Sequence, residues 1–232
     1  MDVFEVMRTA FSAREFTDEP VSDEIIAQIL DEARFAPSGG NRQPWSVIVV
    51  RDPAVRRRFA ELARPTMQRY LAQAAAGESP YSTIVPSRVD EDRVAATDVP
   101  EAVVAPLYAA PVLLVVGSDL GVTASLDSML DRCGIAGGAS IYPFVWNILL
   151  AAHARGLGGV ITTYLSPGEP EVQRLLGLPP HIAVAAALPL GHPTKRLTKL
   201  RRKPVSEFAR LERFDGPSLH GPDEALGSPP FR

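Results

Sequence analysis

The stretch from Ala36 to Val50 restricts the fold more than any other part of the chain, because it joins a helical pattern to an apolar strand through a loop shaped for close approach. It reads Ala-Pro-Ser-Gly-Gly-Asn-Arg-Gln-Pro-Trp-Ser-Val-Ile-Val-Val. Pro37 cannot continue the preceding helix, and Gly39-Gly40 reach backbone angles that residues with a Cβ avoid, so main-chain N–H groups are free to face a cavity. Ser38, Asn41 and Gln43 add short polar side chains beside those amides. Trp45 and the β-branched run behind it have strand character and anchor the loop on a buried sheet. Read alone, the stretch is a helix-to-strand connector whose polar tip makes it a candidate ligand loop.

At 232 residues the chain fits one large domain, and 46% apolar with 22% charged residues suffices for a real core. The formal charge of −3 gives no global reason for nucleic acid as a partner. A single cysteine, Cys133, excludes an intrachain disulfide, and no Cys/His group has zinc spacing. The N-terminus lacks the basic and apolar regions of a signal peptide, and no apolar run is long enough to span a bilayer. The expectation is a cytoplasmic protein without structural metal.

In chain order, Val3, Phe4, Val6, Met7, Ala10 and Phe11 fall at helical spacing behind Asp2, an N-cap. Ser22 caps a second helix with Ile25, Ile26, Ile29, Leu30 and Ala33 inward. Asp52-Pro53 opens a third, on which Arg56-Arg57-Arg58 reads as a solvated face, and a separate short helix is expected from Met67 to Ala75. Residues 77–106 break every period and read as a lid-like insertion of loops and short helices, where Tyr81 and Tyr108 are candidates to shape a pocket. Pro111 to Gly117 is a buried strand, and Ser125 to Asp131 is expected to be helical with Asp127 and Asp131 on a solvated face. Ser140 opens the most hydrophobic helix, expected to be buried nearly all round, with His153 as a cation at its C-terminal end. Gly158 to Tyr164 is a further strand or close-packed segment, Pro167 to Leu176 a helix and Ile182 to Leu190 a last strand. A basic run from Lys195 to Lys203 precedes a short helix at Pro204, and residues 215–232 read as an extended tail.

Helices outnumber strands without a strict βαβ rhythm, which points to an α+β architecture with a helix-covered mixed sheet. The glycines at 156, 158 and 159 do not form G-x-G-x-x-G and follow a helix, which disfavours a dinucleotide-binding Rossmann unit.

Two phrases in register carry a resemblance to the nitroreductase family. Ser12-Ala13-Arg14-Glu15-Phe16-Thr17-Asp18-Glu19-Pro20-Val21 resembles that family's opening phrase, and Ala36 to Trp45 resembles its flavin-binding loop. The resemblance extends from about Met7 to Phe208 and is weak from Gly77 to Asp131. It implies a nitroreductase-like domain over residues 1–214, with a central mixed β-sheet, in a homodimer that binds FMN at the subunit interface so that each site draws on both chains.

Position by position, the resemblance puts Ser12 near the phosphate and Arg14 near the ribityl chain and the N1–O2 edge of the ring. Pro37, Ser38, Gly39 and Asn41 match the loop along the ribityl chain and ring. Ser140 stands where the family often has a Gln or similar polar residue. Thr162 and Thr163 fall where backbone groups approach N5 and O4, and Arg202, two residues before Pro204, matches the phosphate-binding arginine. One departure is clear: Ala10-Phe11 replace an Arg-Arg pair, removing a charge-assisted phosphate contact typically worth about 1.5–3 kcal/mol. Arg8, Lys199 and Arg201 are the candidates to compensate.

The implied activity is that of an FMN-dependent oxidoreductase, taking hydride from NADPH or NADH and passing it to nitroaromatic or quinone-like acceptors by a ping-pong mechanism. It needs no side-chain nucleophile and no metal. Enone reduction, reductive dehalogenation, substrate dehydrogenation and flavin fragmentation on the same fold stay open, as does flavin binding or storage with little turnover. No residue discriminates NADPH from NADH.

Overall fold

The computed structural model describes residues 1–197 and 199–222. The chain divides into two compact units, the first Met1–Arg196 and the second beginning at Leu197.

The first unit is built on a four-stranded sheet in the order β1-β2-β4-β3, where β1 is Trp45–Val49, β2 Val112–Asp119, β3 Gly158–Gly159 and β4 Ile182–Gly191. All three strand pairs are antiparallel. The parallel component expected of a mixed sheet is confined to a single bridge, Ser12 to Gly159. On β2, Val112, Leu114 and Val116 join one core while Leu113 and Val115 join the other, following the two-residue alternation of a strand. Because both faces are covered, β2 reads as an unbroken apolar run rather than as alternating polar and apolar residues.

Helices α2 (Asp23–Ala33) and α7 (Tyr142–Ala154) cover the first face through Ile26, Ile29, Phe144, Val145 and Ile148. Trp45 stacks on Phe144 with ring centroids 4.6 Å apart. The other face carries α3 (Pro53–Ala75), α5 (Glu101–Val104), α6 (Pro106–Ala109) and α8 (Glu169–Leu176). Helix α1 (Val3–Thr9) starts where Asp2 accepts Glu5 N–H at 2.8 Å, but buries only Val6, leaving Val3, Phe4 and Met7 exposed.

Four local expectations are corrected. The segments expected as two helices after Asp52 form one, α3, which runs through Pro65 because Ala63 and Met67 on either side are both packed inside. Arg56 is not on a solvated face: it is buried, and its guanidinium donates to the carbonyls of Leu107 and Ala110. Residues 125–131 are not helical, because the Asp127 carboxylate accepts Ile135 N–H at 2.8 Å and pairs with Arg132 at 2.7 Å, a side-chain arrangement that competes with helix. Asp127 is therefore buried, and the Ile135 amide, then Arg132, hold its carboxyl down to about 2. His153 is also buried; desolvation, then the charge of Arg196, lowers its pKa and favours neutral imidazole over the expected cation. The insertion contains α4 (Glu91–Ala95), α5 and α6, as short helices between loops.

In the second unit, α9 (Val205–Phe208) precedes a turn in which Leu211 N–H donates to Pro217 O and Leu219 N–H to Ala209 O. The final part of the expected tail, residues 223–232, lies outside the described residues.

Candidate functional site

The polar loop after α2 has the strained geometry its composition suggests. Gly40, Asn41 and Gln43 have φ of 62°, 53° and 49°, a left-handed region that costs residues with a Cβ free energy. Local bonds stabilise it: Ser38 Oγ accepts Gln43 N–H at 2.9 Å, and Asn41 N–H donates to Ser38 O at 2.9 Å. Gly39 N–H donates to Ser140 Oγ at 3.0 Å, and a Cβ on Gly39 would lie 3.3 Å from that oxygen. Ser140 is itself buried, so it fixes the loop through Gly39. Pro37 and Asn41 remain exposed.

The second predicted phrase lies along the end of the sheet. Ala13 N–H donates to Gly159 O at 2.9 Å, Thr17 N–H to His192 O at 2.8 Å, and Thr194 N–H to Glu15 O at 3.1 Å. Gly159 has to be glycine there: an added Cβ would lie 2.3 Å from Leu190 Cδ2 and 2.8 Å from Pro189 O. On the segment so pinned, Ser12 and Arg14 are exposed, and neither side chain has a partner among the described residues. Thr162 and Thr163 follow the same edge. Thr162 pairs both main-chain groups with Ala187, and its Oγ1 is buried without a partner. Thr163 is exposed, and its N–H makes no hydrogen bond among the described residues, so of the two it is the one with a free main-chain donor. Arg202 belongs to the second unit, where its guanidinium donates to Arg201 O at 2.7 Å.

The predicted residues of the first unit therefore form two groups. Gly39 and Ser140 meet before the N-terminal end of α7; Ser12 bridges to Gly159, which packs beside α7 close to Leu149, while the neighbouring Phe11 lies edge-on against His153 in the last turn at 6.1 Å.

Sequence reasoning missed Tyr142 and Trp146, which line a cavity of about 890 Å³ with Ser118, Thr123, Ser125 and Ile135. They sit one turn apart on an exposed face of α7, and their four-residue spacing after Ser140 was the available signal. Tyr142 also donates to Ala185 O at 3.3 Å. Tyr108 lies away from both groups, donating to Glu101 at 2.8 Å.

Chemically, the two groups offer an unpaired guanidinium, free hydroxyl and amide donors and a strained polar loop. This donor set suits an oxygen-rich anion. No cluster of His, Cys, Asp and Glu able to hold a metal ion occurs among the described residues, and no helix among them is long and apolar enough to cross a membrane.

Comparison with known proteins gives a consistent result. The Nitroreductase family model matches residues 7–192. The chain is 29% identical over 198 residues to a putative NADH dehydrogenase/NAD(P)H nitroreductase of Methanothermobacter thermautotrophicus, covering 84% of this chain and 79% of that protein. It is 30% identical over 194 residues to an NADH dehydrogenase of Thermus thermophilus, covering 84% and 88%. The crystal structure of oxidized iodotyrosine deiodinase bound to FMN and 3-iodo-L-tyrosine shares the fold, with a TM-score of 0.66 and 24% identity over 92% of this chain and all of that one. With the loop, the pinned phrase and the sheet in agreement with these matches, the chain belongs to the nitroreductase family.

Proposed function

We propose that this chain is an FMN-dependent oxidoreductase that uses NAD(P)H to reduce nitroaromatic or quinone-like acceptors by a ping-pong mechanism. Family membership supports the flavin and the nicotinamide donor. The observation that carries the site assignment is Arg14, an unpaired guanidinium on a segment pinned to Gly159 and carrying the equally free Ser12.

FMN, when bound, supplies hydride acceptance and donation at N5. This chain's residues do the rest. Arg14 would supply fixed positive charge toward the bound flavin, and Ser12 would be a donor for its phosphate. Thr163 N–H, free of other partners, would be a further donor. Pro37, Ser38, Gly39 and Asn41 would line the cofactor, with Ser140 holding Gly39 in place. Thr162 contributes position, through its two bonds to Ala187. Arg202 would add charge for the phosphate, with Arg8, Lys199 and Arg201 the candidates to replace the arginine pair missing at Ala10-Phe11. In the homodimer that the family resemblance implies, each site would draw on residues of both copies of the chain.

The test is a visible spectrum of the purified protein supplied with FMN, followed anaerobically by NADPH and then NADH. The flavin bands should bleach with at least one donor and recover when a nitroaromatic or quinone is added. Bands that never bleach would overturn the reading, and recovery confined to enones or haloaromatics would move it to another acceptor class.

A further inference from the structure

The insertion between α3 and β2 encloses a cavity that the flavin reading does not use. The chain leaves α3 through Gly77, whose φ of 74° suits glycine, and is folded back by two side chains. Gln73, 6% exposed, accepts Tyr81 N–H at 3.0 Å through Oε1. The two oxygens of Glu78 accept the Ser87 hydroxyl at 2.6 Å and Arg88 N–H at 2.7 Å. Tyr81 is tied down by a hydroxyl bond to Thr66 O at 3.1 Å. The space between these arms is about 720 Å³.

Its charge is unbalanced. The lining contains one carboxylate, Glu78, and two guanidiniums, Arg88 and Arg93. Both Glu78 oxygens are already accepting, and the Ser87 hydroxyl, then Arg88 N–H, hold its carboxyl below the usual range, with the charges of Arg88 and Arg93 adding to the effect. Of the nearby acids, Glu91 pairs with Arg69 at 2.6 Å, while Asp90, which caps α4 by accepting Arg93 N–H at 2.8 Å, and Asp92 keep their charges outside the lining. The Arg88 and Arg93 guanidiniums donate no hydrogen bond among the described residues, and the Gln73 amide NH₂ is likewise left without an acceptor. Val85, Pro86 and Val89 supply apolar wall.

We propose that this cavity binds a small organic carboxylate. Its CO₂⁻ group is taken by Arg88 and Arg93 with the Gln73 amide as a further donor, and its hydrocarbon part lies on Tyr81 and Val85. Two planar guanidiniums and a planar amide match a planar carboxylate better than a tetrahedral dianion.

The experiment is calorimetric titration of the full-length, FMN-supplemented protein with benzoate, its neutral isostere benzamide, and inorganic phosphate. Benzoate should bind and benzamide should not. In the double variant Arg88→Gln/Arg93→Gln, benzoate affinity should fall about tenfold or more while flavin content is unchanged. Arg93→Lys, which keeps the charge without the planar fork, gives a smaller loss and serves if the double variant fails to fold. Absence of benzoate binding, equal binding of benzamide, or tighter binding of phosphate would overturn the proposal. So would benzoate binding that survives both substitutions and perturbs the flavin bands, since that places it on the ring.

Discussion

Arg14 is an exposed guanidinium on a fixed segment. It projects from a segment held by three main-chain bonds, yet has no carboxylate or carbonyl of its own among the described residues. Replacing it by alanine removes a charge-assisted contact of about 1.5–3 kcal/mol, so Arg14→Ala should bind FMN roughly 10- to 150-fold more weakly without loss of fold. Fluorescence titration of apoprotein with FMN reads this directly, and unchanged affinity would remove Arg14 from the site. Arg14, Ser12 and Gly39 could be proposed from the sequence because they belong to short phrases with fixed internal spacing. The settings of Arg56, Asp127 and His153 could not. Each is buried by elements distant in sequence or by a loop whose shape no periodicity encodes, and a polar residue pattern does not say whether its partners will be water or carbonyls.

At the level of elements, the strands and the long helices were readable because apolar periodicity is a local signal reinforced by caps such as Asp2, Ser22 and Asp52. The failures came where local signals conflicted. Pro65 argued for two helices where tertiary packing keeps one, and the apolar residues of 125–131 argued for a helix where Asp127 ties a loop. The two-residue strand β3 opens the segment Gly158 to Tyr164 that was expected as a strand or close-packed segment, and it joins the N-terminal phrase to the sheet. Adding one methyl group at its second residue forces Leu190 and the Pro189 carbonyl to move, so Gly159→Ala should cost about 1–3 kcal/mol in urea unfolding. Because Ala13 is bonded to that same residue, FMN affinity should fall with it. Wild-type stability in the alanine variant would show that the edge tolerates the methyl and that the close packing there is not required.

For the molecule as a whole, the exposed apolar residues matter more than the buried ones. Phe4 and Met7 on α1, Leu126 and Met129 in the loop before α7, and Tyr142 and Trp146 on α7 itself all face outward, with Met129 93% exposed. Covering these side chains is what a second copy of the chain would do if it packed against this surface. In a shared site it would also bring the loop of one chain to the pinned phrase of the other. The expected outcome is a dimer by sedimentation equilibrium at micromolar concentration. Trp146→Glu, which places a charge on a side chain already 40% exposed in the single chain, should then dissociate it while leaving helix content unchanged. If the site is shared, the same variant loses FMN in step with the dimer, and raising its concentration restores both together. A monomeric wild-type protein that holds one FMN per chain would refute the shared site, because each chain would then supply every contact from its own residues.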